Sequence, residues 1–531
     1  MAGEGEGSSP IAAIAVSRRR LSSPVVDIDQ ERSLAGRMQQ SRFSSRDDQP
    51  VNHPTGQQTT SDYDRATPTN INTGPSARFC DLPPDILYRI ASKLPPKEFA
   101  RTSVLSTDWF RGCMRSACPR LTFDVVAMCK CEMEDLLYTH VWQFVSEVNG
   151  VLRKHHGKVV ETLQVKINLE HSILAPHIDT WVGFAAISRT KNLVLDLKPV
   201  RFWEHDYRYL FLFQLFDRES ISRLQHMQLS FVSLDPPSQF KGFPNLRKLH
   251  LQTVQVNRKD LEDVLSHCCI LEWLCLDRCR LDDELTVDSP LPRLLYLRVE
   301  FCLTKIRFNA VNLATFEYQG SFIPIDLVQS FKLQSANIKF FSNAIFQHRT
   351  LISLLNGLPS VQSLTLNVRS QRIEKQWFWD NPLKFTNLKH LQFLMIILSK
   401  DVDKILYSLS FLRATPLIEK LEVHFGICCS LWLAEAGSSR RDLRKYKYVH
   451  LKHIWITGFR AAKGQLEFLL HLIENAPALE ILLVEIGEYP PCNSYNSWFG
   501  GGEPPIDKAM EIARTCIHPI LSQNVTFNVK E

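Results

Sequence analysis

Fourteen cysteines and seventeen histidines are the side chains best suited to bind a metal or act as nucleophiles, so their spacing is the first test for chemistry. The densest cluster is His267-Cys268-Cys269, followed by Cys275 and Cys279. It lacks the paired C-x-x-C spacing that lets a structural zinc site close around its ion. Gly500-Gly501-Gly502 is not followed by the Lys-Ser/Thr of a phosphate loop and reads as a flexible turn. No G-x-S-x-G, H-E-x-x-H or G-x-G-x-x-G motif occurs. With so many thiols and imidazoles along one chain, accidental pairs are expected. The sequence therefore assigns no catalytic residue, no metal and no cofactor.

The chain must then work by binding, and its bulk properties narrow the partner. Of its 531 residues 44 % are hydrophobic and 22 % charged, which excludes a wholly disordered chain. The strongest apolar run, Leu391–Ser399, is half the length needed to cross a bilayer and reads as a buried strand or helix. Ile11–Val16 is apolar, but Glu4 and Glu6 precede it and Arg18–Arg20 follow, the reverse of a secretory signal. These features predict no membrane partner and reduced thiols, placing the protein in the cytoplasm or nucleus. The net charge is +6, and residues 1–79 hold nine Arg against nine Asp and Glu, so no basic arm supports nucleic-acid binding.

Four regions follow from composition and periodicity. Residues 1–79, rich in Ser, Gln, Thr, Pro and Arg, bury too little to offset chain entropy and are expected to be disordered. The Arg18–Arg20 run before Ser22-Ser23-Pro24 reads as a solvated charge run rather than a targeting or phosphorylation site. Residues 80–119 predict three short helices. The first carries apolar residues at 86, 87, 90 and 94, Pro95 and Pro96 separate it from the second, and Ser106 caps a third that carries Trp109, Phe110 and Met114. A unit this small, with neither disulfides nor metal, is expected to need a partner to complete its core.

Leu82-Pro83 … Asp85-Ile86-Leu87 … Ile90 … Leu94-Pro95-Pro96-Lys97 … Thr102–Ser106 … Trp109 resembles an F-box of the form common in plant proteins. Asp108 departs from the pattern, which usually has a basic residue before the tryptophan. The resemblance implies that the unit docks a Skp-type adaptor, with Leu82, Pro83, Ile86, Leu94, Val104 and Trp109 as the contact candidates. Which of these face the adaptor and which pack the helices together stays open.

Residues 120–440 carry a repeating triplet of apolar residues, as at Leu224/Met227/Leu229, Leu246/Leu249/Leu251, Leu271/Leu274/Leu276, Leu294/Leu297/Val299 and Leu313/Phe316/Tyr318. The triplet alone is common by chance; the spacing of its starts, 22, 25, 23 and 19 residues and so close to the 20–29 of leucine-rich repeats, is what persuades. Cys279 and Cys302 stand three residues beyond two triplets, where a small buried side chain is needed, and this accounts for both thiols without a metal. The spacing widens toward the C-terminus, and a weak unit is expected near Ala336–Phe340. Val160/Leu163/Val165 and Leu193/Leu195/Leu197 supply earlier strands, after a helix through Phe144, Val148 and Val151. Stacked units form an α/β solenoid, a curved parallel sheet with helices on its outer face, whose outward strand residues are candidates for holding a target protein. On three successive units these are Lys248, His250 and Gln252; Trp273, Cys275 and Asp277; and Tyr296, Arg298 and Glu300.

Residues 441–531 continue the array. Leu451-Lys452 … Ile456 … Gly458-Phe459 … Leu466-Glu467 … Ile473–Ala476 … Leu479-Glu480 resembles the FBD region that often ends plant F-box/leucine-rich-repeat proteins. Helices are expected over Gln465–Asn475 and Ala509–Leu521, and a strand over Val525–Val529. Taken together, the resemblances imply a non-catalytic substrate-recognition adaptor of an SCF-type ubiquitin-protein ligase, linked through its Skp-type adaptor to a cullin scaffold. An interaction scaffold outside ubiquitin transfer is the alternative, and a hydrolase within residues 313–450 is a third class. The target, and any small molecule bridging to it, are not legible.

Overall fold

A computed structural model describes residues 120–530, apart from intervening stretches of which the longest are 341–357, 370–384, 398–404, 428–442 and 487–505, together with Ile86. The expectations for the tail and for the rest of 80–119 lie outside the described residues.

The strands, in chain order, begin with β1 (Arg120–Asp124), β2 (Thr162–Lys166), β3 (Asn192–Asp196), β4 (Tyr209–Phe211), β5 (His226–Ser230), β6 (Val232–Leu234) and β7 (Lys248–Gln252). They continue with β8 (Gln255–Val256), β9 (Trp273–Asp277), β10 (Leu285–Val287), β11 (Tyr296–Glu300), β12 (Ile306–Phe308), β13 (Thr315–Gly320) and β14 (Ile325–Asp326). The last seven are β15 (Ser335–Phe340), β16 (Ser363–Arg369), β17 (His390–Ile397), β18 (Lys420–Ile427), β19 (His453–Thr457), β20 (Ile481–Glu485) and β21 (Thr526–Lys530). Fifteen of them form one sheet in the order β1-β2-β3-β5-β7-β9-β11-β13-β15-β16-β17-β18-β19-β20-β21, parallel throughout. Each repeat thus lays one strand beside the last. The unit expected near Ala336–Phe340 is present as β15.

Register comes from a repeated main-chain bond. The carbonyl just before each strand accepts two N–H groups from the start of the next repeat: Arg247 O from Glu272 and Trp273, Glu272 O from Leu295 and Tyr296, Leu295 O from Ala314 and Thr315. Strand side chains alternate, so the second and fourth residues of each strand form two buried rows, among them Leu249, Leu274, Leu297, Phe316 and Leu251, Leu276, Val299, Tyr318. The first, third and fifth form three rows on the opposite, open face. Cys279 and Cys302 are buried where the chain leaves β9 and β11. Their thiols donate to Leu251 O at 3.4 Å and Leu276 O at 3.6 Å. Val232 and Val254 fill the equivalent places after β5 and β7.

The side opposite the open face departs from a uniform layer of helices. Helices α1 (Val125–Cys129), α2 (Glu134–Lys154), α3 (Ala175–Ile187), α4 (Arg218–Arg223) and α5 (Arg258–Ser266) serve the early repeats, and α6 (Ser408–Arg413), α7 (Lys463–Asn475) and α8 (Ile506–Ile517) the late ones. Two small parallel sheets lie among these segments: β4-β6-β8, whose first and last strands share their return segments with α4 and α5, and β10-β12-β14, in segments without a described helix. Between β11 and β13 only residues 301–314 are available, too few for turn, helix and turn. In α2 the buried face is Phe144, Val145, Val148 and Leu152; Val151, expected inward, is 42 % exposed. Apolar on nearly every side, α3 shows no amphipathic period, which is why periodicity does not reveal it. Its Trp181 Nε1 donates to Asn149 Oδ1 of α2 at 2.8 Å.

The C-terminal helices and strand form as expected, within a few residues. Helix α7 is buried from Gly464 to Ile473, its polar residues included. Gln465 accounts for one of these: its Oε1 accepts from Arg460 N and Ala462 N, and its Nε2 donates to Gly458 O. The helix start is thereby capped although Ala462 has no side-chain oxygen to offer.

Candidate functional site

The open face presents its side chains in rows set by strand register. The entry row reads His226, Lys248, Trp273, Tyr296, Thr315 across β5 to β13; the middle row Gln228, His250, Cys275, Arg298, Glu317; the exit row Ser230, Gln252, Asp277, Glu300, Gln319. All nine target-binding candidates lie here on three neighbouring strands, β7, β9 and β11. Trp273 and Tyr296 stand stacked, with centroids 5.3 Å apart and planes 4° from parallel, and His250 meets Trp273 edge-on at 5.8 Å. Adjacent parallel strands lie about 4.8 Å apart, so in-register aromatics are delivered to each other at stacking distance by the backbone alone. Burial lowers the His250 pKa, with nearby Asp277 opposing, so the ring is neutral at pH 7.

Three residues of these rows are buried, Ser230 among them. Cys275 and Asp277, expected to project outward, are buried, Asp277 to 4 % exposure. Asp277 accepts from Gln252 Nε2 at 2.7 Å and pairs with Arg278 Nη1 at 2.9 Å, so both its oxygens are engaged by the protein itself. Cys275 lies between His250 and Arg298, and burial pushes its thiol up to about 12, an unreactive value. Arg298 is held by Glu300 at 2.7 Å and by Glu317 at 3.7 Å. Lys248 and the stacked aromatic pair keep their outer surfaces open.

A second constellation, absent from the sequence reading, lies further along the same face on β16 to β19. Glu422, 4 % exposed, receives His390 Nε2 and Gln392 Nε2, each at 3.1 Å, and Lys420 Nζ at 2.5 Å. His424 sits 3.5 Å from its other oxygen and bonds Thr457 Oγ1 at 2.9 Å. Burial alone would push the Glu422 carboxyl up, but its bonds to His390, His424 and Lys420 outweigh that and hold it well below the usual carboxylate range. Register is what assembles the group: Gln392 and Glu422 face each other in the middle row, with His390 and Lys420 beside them in the entry row. The signal in the sequence was present as polar residues at alternate positions of three apolar strands, but only the pairing of distant repeats shows that they meet.

Ser363, His390 and Glu422 line up with residue types of a hydrolytic triad, Ser363 Oγ lying 3.5 Å from His390 Nδ1. The surroundings do not make a nucleophile of it. Ser363 N already donates to Gln334 O in the strand ladder and so is not available to an oxyanion, and Glu422 is shared among four partners. Among the described residues no group of three or more His, Cys, Asp or Glu is placed to hold a metal ion, and no helix is long and apolar enough to cross a membrane. Of the adaptor-contact candidates, Ile86 is helical and 36 % exposed; Leu82, Pro83, Leu94, Val104 and Trp109 lie outside the described residues.

A fifteen-stranded parallel array with one polar open face and return segments behind it defines a leucine-rich-repeat protein. Residues 151–531 match the model of the At1g61320/AtMIF1 LRR domain, so the chain belongs to that family, and residues 79–113 match the F-box domain. F-box/FBD/LRR-repeat protein At1g13570 of Arabidopsis thaliana is 25 % identical over 417 residues, covering 76 % of this chain and 90 % of the relative. FBD-associated F-box protein At1g61320 of the same plant is 22 % identical over 363 residues, covering 65 % and 76 %. The chain therefore joins an F-box to a leucine-rich-repeat array with FBD-named relatives, the layout of an F-box adaptor.

Proposed function

We propose that this protein is the substrate-recognition subunit of an SCF-type ubiquitin-protein ligase, acting in the cytoplasm or nucleus. The F-box docks a Skp-type adaptor, and through it a cullin, by way of Leu82, Pro83, Ile86, Leu94, Val104 and Trp109. The repeats hold a target protein. The reading rests on one observation: a module that docks and an array that offers a long polar face occur in the same chain. Catalysis is then positional. Holding a target lysine near a ubiquitin-charged enzyme raises its effective concentration, and no reactive residue is needed in this chain. An exposed helical isoleucine such as Ile86 is the kind of group that an adaptor groove would cover.

Within the array, Lys248, the Trp273–Tyr296 stack and His250 are the part of the open face best suited to a target, since large aromatics anchor protein interfaces. Co-purification tests the ligase reading. The wild-type chain is expected to recover adaptor and cullin together, and Leu82→Ala with Pro83→Ala to lose both. Equal recovery by wild type and variant refutes the assigned contact; recovery of neither by a folded wild-type chain favours a scaffold outside ubiquitin transfer.

A further inference from the structure

The ends of the strands carry a charge imbalance that the open face does not share. The residues that follow β5, β7, β9 and β11 are Phe231, Thr253, Arg278 and Phe301, each turning the chain with positive φ between 49° and 61°. Over this edge folds the segment between β3 and β4, bringing Lys198, Phe202, Trp203, Tyr207 and Arg208. Arg208 is 7 % exposed; its guanidinium lies 4.9 Å from the Phe231 ring centroid and, among the described residues, donates to main-chain carbonyls, Thr253 O and Asp206 O, both at 3.3 Å. A buried guanidinium ordinarily faces a carboxylate. Here its charged neighbours are a second cation and one carboxylate: burial first and then Arg280 lower the Arg208 pKa, and Asp206 offsets only part of this.

Arg280 continues the row Leu210, Ser233, Gln255 at the end of the small sheet β4-β6-β8, and its exposed side chain has no ion pair or hydrogen bond among the described residues. The buried hydroxyl of Thr253, whose carbonyl holds Arg208, is also without a partner. Further along, Lys198 and Arg278 lie 5.8 and 5.9 Å from the Phe202 ring centroid, and Asp277 neutralises only Arg278. Trp203 packs edge-on against Phe202 and is 66 % exposed.

We infer that this strand-exit edge, with Arg280 as the direct contact, Arg208 as the charge beneath it and Trp203 as the apolar rim, holds an acidic stretch of the target polypeptide. Carboxylates supply the counter-charge that Arg280 does not find among the described residues, and the indole covers the aliphatic part of the bound segment. The inference builds on the reading of the repeats as the target-holding part and says what kind of segment they take.

The test uses the full-length chain and, as probe, a fluorescein-labelled peptide of about twelve residues rich in Asp and Glu, with an Asn/Gln version as control. Anisotropy is expected to show the acidic probe bound and the amide version not, with binding weakening as salt rises. Arg280→Glu, at a side chain with no ion pair or hydrogen bond among the described residues, should weaken the probe about tenfold or more at low salt, and Trp203→Ala several-fold. Equal binding of both peptides, or an Arg280→Glu chain that binds as wild type does, overturns the inference. So does displacement of the probe by inorganic phosphate at matching concentration, which would mark a small-anion site. Adaptor recovery measured on the same Arg280→Glu chain separates the two readings: it should be unchanged, because Arg280 lies in the array and not in the F-box. Loss of probe binding with adaptor retained concerns this edge alone, and failure of wild type to recover adaptor while it still binds the probe concerns the ligase reading alone.

Discussion

Replacing Glu422 by Gln keeps the shape of the side chain and removes its charge, and the network around it sets the cost. The carboxylate now satisfies donors from His390, Gln392 and Lys420 and lies near His424. An amide offers one acceptor oxygen and turns its own N–H groups toward donors. His390 and Lys420 are partly exposed and rehydrate, so each counts as about 0.5–1 kcal/mol, as surface pairs do. Gln392 and the buried His424 lose a charge-assisted partner that water does not replace, at about 1–2 kcal/mol. The sum is roughly 2–4 kcal/mol, or about a thirtyfold to thousandfold loss of protection for the slowest amides of β17 and β18 in hydrogen exchange at pH 7. Acid should reproduce the loss in wild type. The folded carboxyl titrates below its unfolded value, so its contribution is complete above about pH 4.3 and is lost as pH falls toward the folded value. Glu422→Gln should lack that part of the acid response. Protection within a factor of two of wild type at pH 7, or an unchanged acid response in the variant, would refute the assignment of this network as a stabilising clasp between repeats.

Four other outcomes follow from the fold. Gly458→Ala should destabilise by about 3 kcal/mol or more in urea unfolding, because its φ is +67° and a Cβ there would lie 2.1 Å from Phe425 O; Gly183→Ala, in open space on α3, should be neutral or stabilising by up to about 1 kcal/mol. Cys302→Val should cost less than about 1 kcal/mol, since valine fills the same place after β5 and β7, whereas Cys302→Asp should prevent folding as read by circular dichroism. Chelator should leave the melting temperature of wild type and of Cys302→Val unchanged, because both thiols are accounted for by carbonyl bonds. Lowering pH from about 7.5 to 5.5 should lower the melting temperature: burial and then, for His471, Arg413 depress its folded pKa, so the unfolded chain takes up the proton first near 6.5, and His471→Asn should soften the drop.

Most of the strand path was legible because each unit repeats one physical demand, two apolar residues facing one core, at a spacing that a parallel ladder enforces. Leu249/Leu251, Leu274/Leu276 and Leu297/Val299 could be placed from periodicity, and the thiols of Cys279 and Cys302 from their distance to the triplet. The return segments were less legible. A length of chain such as 301–314 can close with short strands instead of a helix, and an all-round apolar helix such as α3 has no period to read. The open face was legible as to membership and not as to exposure: Asp277 alternates outward by sequence, yet Gln252 and Arg278, one from the neighbouring repeat and one from the following turn, cover it. The Glu422 network needed register, since its members come from repeats about thirty residues apart.

The return segments vary from residues 301–314 between β11 and β13 to residues 486–525 between β20 and β21, while the strand rows stay in step across all fifteen positions. Length and geometry are thereby decoupled: the chain can gain or lose material on one side without displacing a single rung on the other. A family built this way is free to diverge in what its units look like from behind while keeping a fixed lattice of attachment points in front, so that new specificities can arise by exchanging side chains on existing rungs.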